Sequence, residues 1–376
     1  MKIICNKNIL QDALNLVGRA IAQRSTLQIL ECILISVDDT TLTLRGSDRE
    51  ISIDTAPMTI EVQQAGHVAL DAKLFTEIIR KMPGDYVEIE TDDKLITTCK
   101  SGFAKLKIPG LPGDEYPIND PNDIKPIGDD VYVLDSSKLR DIIKQTIFSV
   151  SLDPSKKVLN GELFQVVDSN LRVVAVDMYR ISYRSIKLIE SGKDISVIIP
   201  PKALNELSRI LPQESGETIK FYLSEKKAIF ETKQFTLVTS LLEGNFIRYD
   251  QIFNDDFSTV ITCNRLAILD AFERSILIAR GTELLTLDMN ITAETVFISS
   301  GTERGQASEE VYCEIEGQEL QIRINPKYLI EALRVISDET IALKFNTSLS
   351  PVVIRGIDEN TTDYYKYLIV PLKNPK

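Results

Sequence analysis

At 376 residues, with 43% hydrophobic and 26% charged content, the chain has the make-up of an ordinary soluble globular protein of two to four domains. A net charge of −12 argues against a protein that coats nucleic acid with its whole surface. Five cysteines (Cys5, Cys32, Cys99, Cys263 and Cys313) are odd in number and scattered, which fits reduced thiols in a cytoplasmic protein better than a disulfide framework; no membrane span and no signal peptide are expected.

In chain order, the first predicted element is an amphipathic helix with Leu10, Ala13, Leu14 and Val17 on one face. A strand over 41–44 follows, then a helix with Asp71 at its N-cap and a strand over 86–90. A joint rich in proline runs from 109 to 128. The same order then returns. Leu139, Ile142, Ile143 and Thr146 mark a helix, 171–176 a strand, Pro201 the start of a second helix and 218–222 another strand. A second joint, 243–256, leads to a third pass: Ile268, Ala271, Phe272 and Ser275, a strand over 295–298, a helix started by Asn325 and Pro326, and a strand over 340–344. Helix, strands, helix, strands, three times over, with short polar turns, predicts three α+β repeats. Each has two helices packed on antiparallel sheet, with boundaries at 1–128, 129–256 and 257–376.

The second helix of each repeat carries one pattern: Lys73, Phe75, Glu77, Arg80; Lys202, Leu204, Glu206, Arg209; Lys327, Leu329, Glu331, Arg334. Each lysine sits in the first helical turn, where the helix dipole disfavours a cation by a few tenths to about 1 kcal/mol. The six helical segments together carry +8 and the remainder of the chain −20. Two readings follow. Either these are solvated helix faces with weak ion pairs, or the helices line a surface facing a polyanion.

Motifs for catalysis are missing. There is no phosphate-binding glycine loop and no nucleophile elbow, and His67 is the single histidine, read as a surface strand residue. No cysteine pair has zinc spacing. Acidic pairs such as Asp92-Asp93, Asp129-Asp130 and Asp255-Asp256 read as turns. No metal and no cofactor are expected.

Several segments carry a resemblance: Arg24-Ser25-Thr26-Leu27-Gln28-Ile29-Leu30, Gly46-Ser47-Asp48, Gly113-Asp114-Glu115-Tyr116-Pro117, Leu159-Asn160-Gly161, Val176-Asp177-Met178-Tyr179-Arg180, Ser350-Pro351-Val352-Val353-Ile354-Arg355 and Leu368-Ile369-Val370-Pro371-Leu372. In this order, within a threefold repeat, the chain resembles the bacterial sliding clamps, the beta subunits of replicative DNA polymerase III. The resemblance implies a head-to-tail homodimer forming a six-domain ring around double-stranded DNA, without catalytic activity. It implies DNA contacts at Arg24, Lys73, Lys156 and Lys202. It also implies a pocket of Leu159, Val176, Arg180, Ile181, Ile247, Ile252, Val370, Pro371 and Leu372. There the replicative polymerase, clamp loader and repair polymerases would insert short linear peptides, with Arg180 fixing their orientation. Leu106 and Ile108 of one copy would face Leu277 and Ile278 of the next. The chain departs from the family at Val176, Met178 and Tyr179, and at Ile247 where a proline is common; an extension, Asn374-Pro375-Lys376, follows the pocket. The rival classes are a carboxylate-dependent hydrolase, which needs paired carboxylates in a cleft, and a purely structural repeat protein, which needs no segregation of charge.

Overall fold

A computed structural model describes the chain except for residues 120–123, 128–129, 254–255, 280–284, 304, 358–362 and 374–376. Six α-helices form among the described residues: α1 (Lys7–Val17), α2 (Ala72–Lys81), α3 (Ser136–Thr146), α4 (Pro201–Ile210), α5 (Arg265–Ala279) and α6 (Pro326–Val335). Their starts follow local chemistry. Asp71 Oδ1 accepts from the Leu74 amide at 2.7 Å and Asn325 Oδ1 from the Lys327 amide at 3.1 Å, as the sequence predicts. Asn6 and Asn264 cap α1 and α5 in the same manner. Helices α2, α4 and α6 have no acidic residue in the first turn and place an arginine in the last, where the dipole favours it.

The apolar faces lie where the spacing places them. Leu10, Leu14 and Val17 of α1 are buried, as are Leu139, Ile142 and Ile143 of α3 and Ile268, Ala271 and Phe272 of α5. The second- and third-repeat equivalents of Val17, Thr146 and Ser275, are polar yet equally buried. Thr146 satisfies its hydroxyl with the Ile142 carbonyl at 2.8 Å and the Glu162 carboxyl at 3.0 Å. Gly46 closes the packing of α1 on its sheet: a Cβ there would stand 2.2 Å from the Val17 carbonyl oxygen.

All the predicted strands appear, as parts of Thr41–Ser47, Tyr86–Thr91, Asn170–Val176, Thr218–Ser224, Thr295–Thr302 and Thr340–Phe345. Every ladder among the described residues is antiparallel. Asp92 closes a turn by accepting from the Lys94 and Ile96 amides, and His67 sits on strand Gly66–Asp71, 2.9 Å from Asp114. Pro121, Gly128, Asp129, Asp255 and the 374–376 extension lie outside the described residues.

The chain forms two compact units that do not follow the repeats. One comprises Met1–Ser137, Ile189–Gly192 and Arg209–Leu241; the other Lys138–Leu188, Lys193–Ser208 and Leu242–Lys376. The cause is strand pairing across repeats. In the first unit, Ile51–Thr55 of repeat one pairs with Phe235–Ser240 of repeat two, from Thr55↔Phe235 to Ile51↔Thr239. In the second unit, Arg180–Lys187 of repeat two pairs with Tyr364–Ile369 of repeat three, from Arg180↔Ile369 to Ser185↔Tyr364. Each unit therefore holds one large sheet that spans a repeat boundary and one smaller sheet.

Glu162 is an irregularity in the second unit. It is entirely buried on strand Glu162–Val167, with Oε1 accepting from Thr146 and Oε2 without a partner. Burial raises its pKa well above 4.5, so the folded chain keeps a proton that the unfolded chain loses. Stability from this group is complete below about pH 4.5 and declines as pH rises toward the folded pKa, by at most about 1.4 kcal/mol per pH unit. Glu162→Gln should therefore raise the Tm more at pH 8 than at pH 5. Equal shifts at both pH values, measured calorimetrically, would show that the carboxyl is not held neutral.

Candidate functional site

The residues expected to form a pocket all fall in the second unit. Leu159 lies in the 3-10 turn Lys157–Leu159 and is buried with Val176 and Ile181 in one apolar cluster that also holds Leu163, Val174, Tyr183, Tyr249, Val353 and Leu368. Ile247 packs against it half-buried, while Ile252 remains 42% exposed. Gly161 permits this turn to approach its neighbours: a Cβ would stand 2.7 Å from both Ile198 and Leu242 side chains. Tyr249 anchors the far wall through its hydroxyl to Gln165 at 2.7 Å, and burial pushes its phenol up to about 12.

The C-terminal segment is pinned at two points. The Val370 amide donates to the Tyr179 carbonyl and the Leu372 amide to the Arg323 carbonyl, both at 2.8 Å. Between them Pro371 is buried, whereas Val370 is 37% exposed. An apolar floor with partly exposed Ile252 and Val370 can accept apolar side chains of a short peptide.

Arg180 is placed differently from the sequence-based expectation of an orienting contact. Asp177 Oδ1 first closes a turn by accepting from the Tyr179 and Arg180 amides. The Arg180 guanidinium is then 8% exposed and committed inside the protein. Nε donates to Asp177 Oδ2 at 2.9 Å, and the two terminal nitrogens donate to the Glu331 carboxylate and the Phe148 carbonyl. Its carbon centre lies 4.6 Å from the Tyr328 ring centroid and 5.2 Å from that of Phe148. Tyr179 stacks on Tyr328 at 6.0 Å. Arg180 therefore ties the Asp177 turn to α6. Glu331, Tyr328, Phe148 and Asp177 are partners of Arg180 that sequence reasoning did not connect to it; the available signals were that Glu331 belongs to the repeated pattern and Asp177 to the 176–180 segment.

The three copies of that pattern have diverged. In α2, Lys73 and Arg80 are exposed and Arg80 makes only a loose 3.7 Å pair with Glu77. Together with Arg19, Gln23 and Thr76 they line a cleft of about 1010 Å³ between α1 and α2. Arg24 is exposed beyond the end of α1. In α6, Glu331 is taken by Arg180, and Arg334 pairs with Glu273 of α5 at 2.8 Å. Lys202 is exposed on α4, and Lys156 is exposed in a turn closed by its amide to the Asp153 carbonyl.

Two edge strands carry the remaining expected residues. Ala104–Pro109 is the edge of the five-stranded sheet in the first unit; Leu106 is 42% exposed, but Ile108 is buried at 5% and serves the core. Gly305–Tyr312 is the edge of the four-stranded sheet in the second unit. Leu277 on α5 is 54% exposed, and Ile278 is half-buried against Gly305.

Comparison with known proteins accounts for this architecture. Residues 1–120, 133–247 and 250–373 match the N-terminal, central and C-terminal domains of the DNA polymerase III beta subunit. The chain is 32% identical to the beta sliding clamp of Halalkalibacterium halodurans, over 96% of this chain and 97% of that one. It is 31% identical to the beta sliding clamp of Bacillus subtilis, over 99% and 100%. Among solved structures, a putative DNA polymerase III beta subunit from Eubacterium rectale superposes with a TM-score of 0.93 at 33% identity, covering all of both chains. The Bacillus subtilis sliding clamp gives 0.93 at 31% identity with the same coverage. With three successive domain matches and relatives aligned along its whole length, the chain belongs to the DNA polymerase III beta subunit family, the bacterial sliding clamps.

Proposed function

We propose that two copies of this chain close head to tail into a ring around duplex DNA and tether replication and repair proteins to it, without catalysing a reaction. The observation that carries this reading is the match to sliding clamps along the full length, all three repeats included. Basic helices within an acidic chain fit it, because phosphate contacts through water and flexible lysines let a ring move along the duplex. Arg24, Lys73, Lys156 and Lys202 are the proposed DNA contacts. The repeats act as domains 1–128, 129–256 and 257–376, in the cytoplasm, where bacterial DNA is replicated.

Ring closure is assigned to the edge strands. Ala104–Pro109 of one copy meets Gly305–Tyr312 of the next, with exposed Leu106 and Leu277 supplying apolar contact and Ile278 flanking them. Ile108 contributes by holding its strand in place from within.

Short linear peptides of the replicative polymerase, the clamp loader and repair polymerases are assigned to the pocket floored by Leu159, Val176 and Ile181, with Ile247, Ile252, Val370, Pro371 and Leu372 around it. Arg180 acts here as a positioning residue.

After loading by a clamp loader, the protein should remain on nicked circular DNA and be lost when the circle is linearised, with less loading for Lys73→Glu/Lys202→Glu. Equal retention on both DNA forms, scored by gel filtration, would exclude topological binding. Arg180→Ala removes a charged hydrogen bond to the partly exposed Glu331 carboxylate, which keeps Lys327 at 3.9 Å, a change that costs about 1.5–3 kcal/mol in stability. It should also weaken a fluorescent polymerase C-terminal peptide by about tenfold, or roughly 1.4 kcal/mol. Unchanged anisotropy titrations would remove Arg180 from the pocket.

A further inference from the structure

The five cysteines do not share one environment. Cys5, Cys32 and Cys99 are buried, and burial pushes their thiols up to about 12, 11 and 12. Cys263 is buried too, and Cys313, whose thiol donates to the Val311 carbonyl at 3.5 Å, packs against the same apolar cluster. Cys313 is only half-buried, and the neighbouring Cys263 thiol holds its pKa below the ordinary value, while Cys313 and burial hold that of Cys263 above it.

Backbone register brings them together. Strand Thr259–Asn264 pairs with Glu314–Gly317 from Thr259↔Gly317 to Thr262↔Glu314. The ladder ends there; its register carried one residue further would set Cys263 opposite Cys313. Directly opposed residues of antiparallel strands have Cα atoms about 4.5–5.5 Å apart. Disulfides span about 4.4–6.8 Å. Both side chains pack in the same apolar cluster, and Cys313 stands at the corner between Gly305–Tyr312 and Glu314–Gly317, where the chain leaves the four-stranded sheet for the nine-stranded one. Its amide donates to the Glu294 carbonyl at 3.2 Å, which fixes that corner.

We propose that Cys263 and Cys313 form a reversible redox site that takes hydroperoxides as oxidant. The Cys313 thiolate attacks one peroxide oxygen; the O–O bond breaks, the departing oxygen takes a proton as water or alcohol, and Cys313 becomes a sulfenic acid. The Cys263 sulfur then attacks the Cys313 sulfur, its proton leaves with the hydroxide as water, and a disulfide closes. Two thiols are oxidised and one peroxide is reduced; a dithiol reverses the bond. The disulfide ties the residue before the α5 cap to the foot of the edge strand Gly305–Tyr312. On the ring reading, these are the two elements that meet the next copy, so oxidation would slow subunit exchange.

The full-length protein, treated with hydrogen peroxide, quenched and unfolded, should show three free thiols in place of five. Its mass should fall by two hydrogens, and non-reducing peptide mapping should join Cys263 to Cys313; dithiothreitol should restore all the thiols. In Cys263→Ala, a dimedone adduct should accumulate at Cys313 instead. Retention of all five thiols, oxidation of Cys5, Cys32 or Cys99 ahead of the pair, or an oxidised Cys313 without the crosslink would each overturn the proposal. Subunit exchange between labelled copies is measured separately: an intact disulfide with unchanged exchange would sink the effect on the ring and leave the redox site standing.

Discussion

The Arg180 guanidinium is the interaction on which the second unit turns. Four groups converge on it, from the Asp177 turn, the Phe148 carbonyl, the Glu331 carboxylate and the Tyr328 ring. It stands at the first rung of the ladder that joins repeat two to repeat three, opposite Ile369. An arginine can do this because its planar fork donates in several directions at once and still presents a face to aromatic rings. The adjacent Tyr179 carbonyl receives the Val370 amide, so the C-terminal segment is positioned by the same turn. The Asp177 turn, the interrepeat ladder and the chain terminus all meet at this one buried, hydrogen-bonded charge.

The repeat explains why this arrangement could arise and why it is not symmetrical. Each second helix offers Lys, Glu and Arg at the same positions, yet the environment decides their use. On α2 the cations remain in solvent beside a broad cleft. On α6 the glutamate is drawn to the buried Arg180, while Arg334, 61% exposed, makes a surface pair with Glu273. A buried or partly buried pair is retained by its geometry, whereas an exposed pair contributes little and leaves its charges available.

Much of the fold was legible in the sequence because local signals agreed. Periodicity marked the buried faces of α1, α3 and α5, and Asp71, Asn325, Pro201 and Pro326 marked helix starts. The apolar pocket positions came from the family resemblance, since Leu159 or Val176 read alone is an ordinary core residue. What was illegible was long-range. Arg180 and Glu331 are 151 positions apart, and no local pattern announces their pairing. Ile108 shares a face with Leu106, two positions along the same edge strand, and only the folded sheet shows that Ile108 is covered while Leu106 stays exposed. The sequence repeats also suggested self-contained units, but strand pairing ignores those divisions because a ladder is indifferent to which repeat supplies its next strand.

That indifference bears on how such a chain can be divided. The middle repeat lends Phe235–Ser240 to a strand of repeat one and Arg180–Lys187 to a strand of repeat three. Excised as a separate polypeptide, it would present two rows of unpaired amides and carbonyls, each a template for pairing with another molecule. Fission at the repeat boundaries would therefore convert intramolecular ladders into intermolecular ones and leave the hydrogen bonds unchanged. Covalent fusion of the repeats sets the number of molecules that must find one another, and with it the dilution that the assembly withstands.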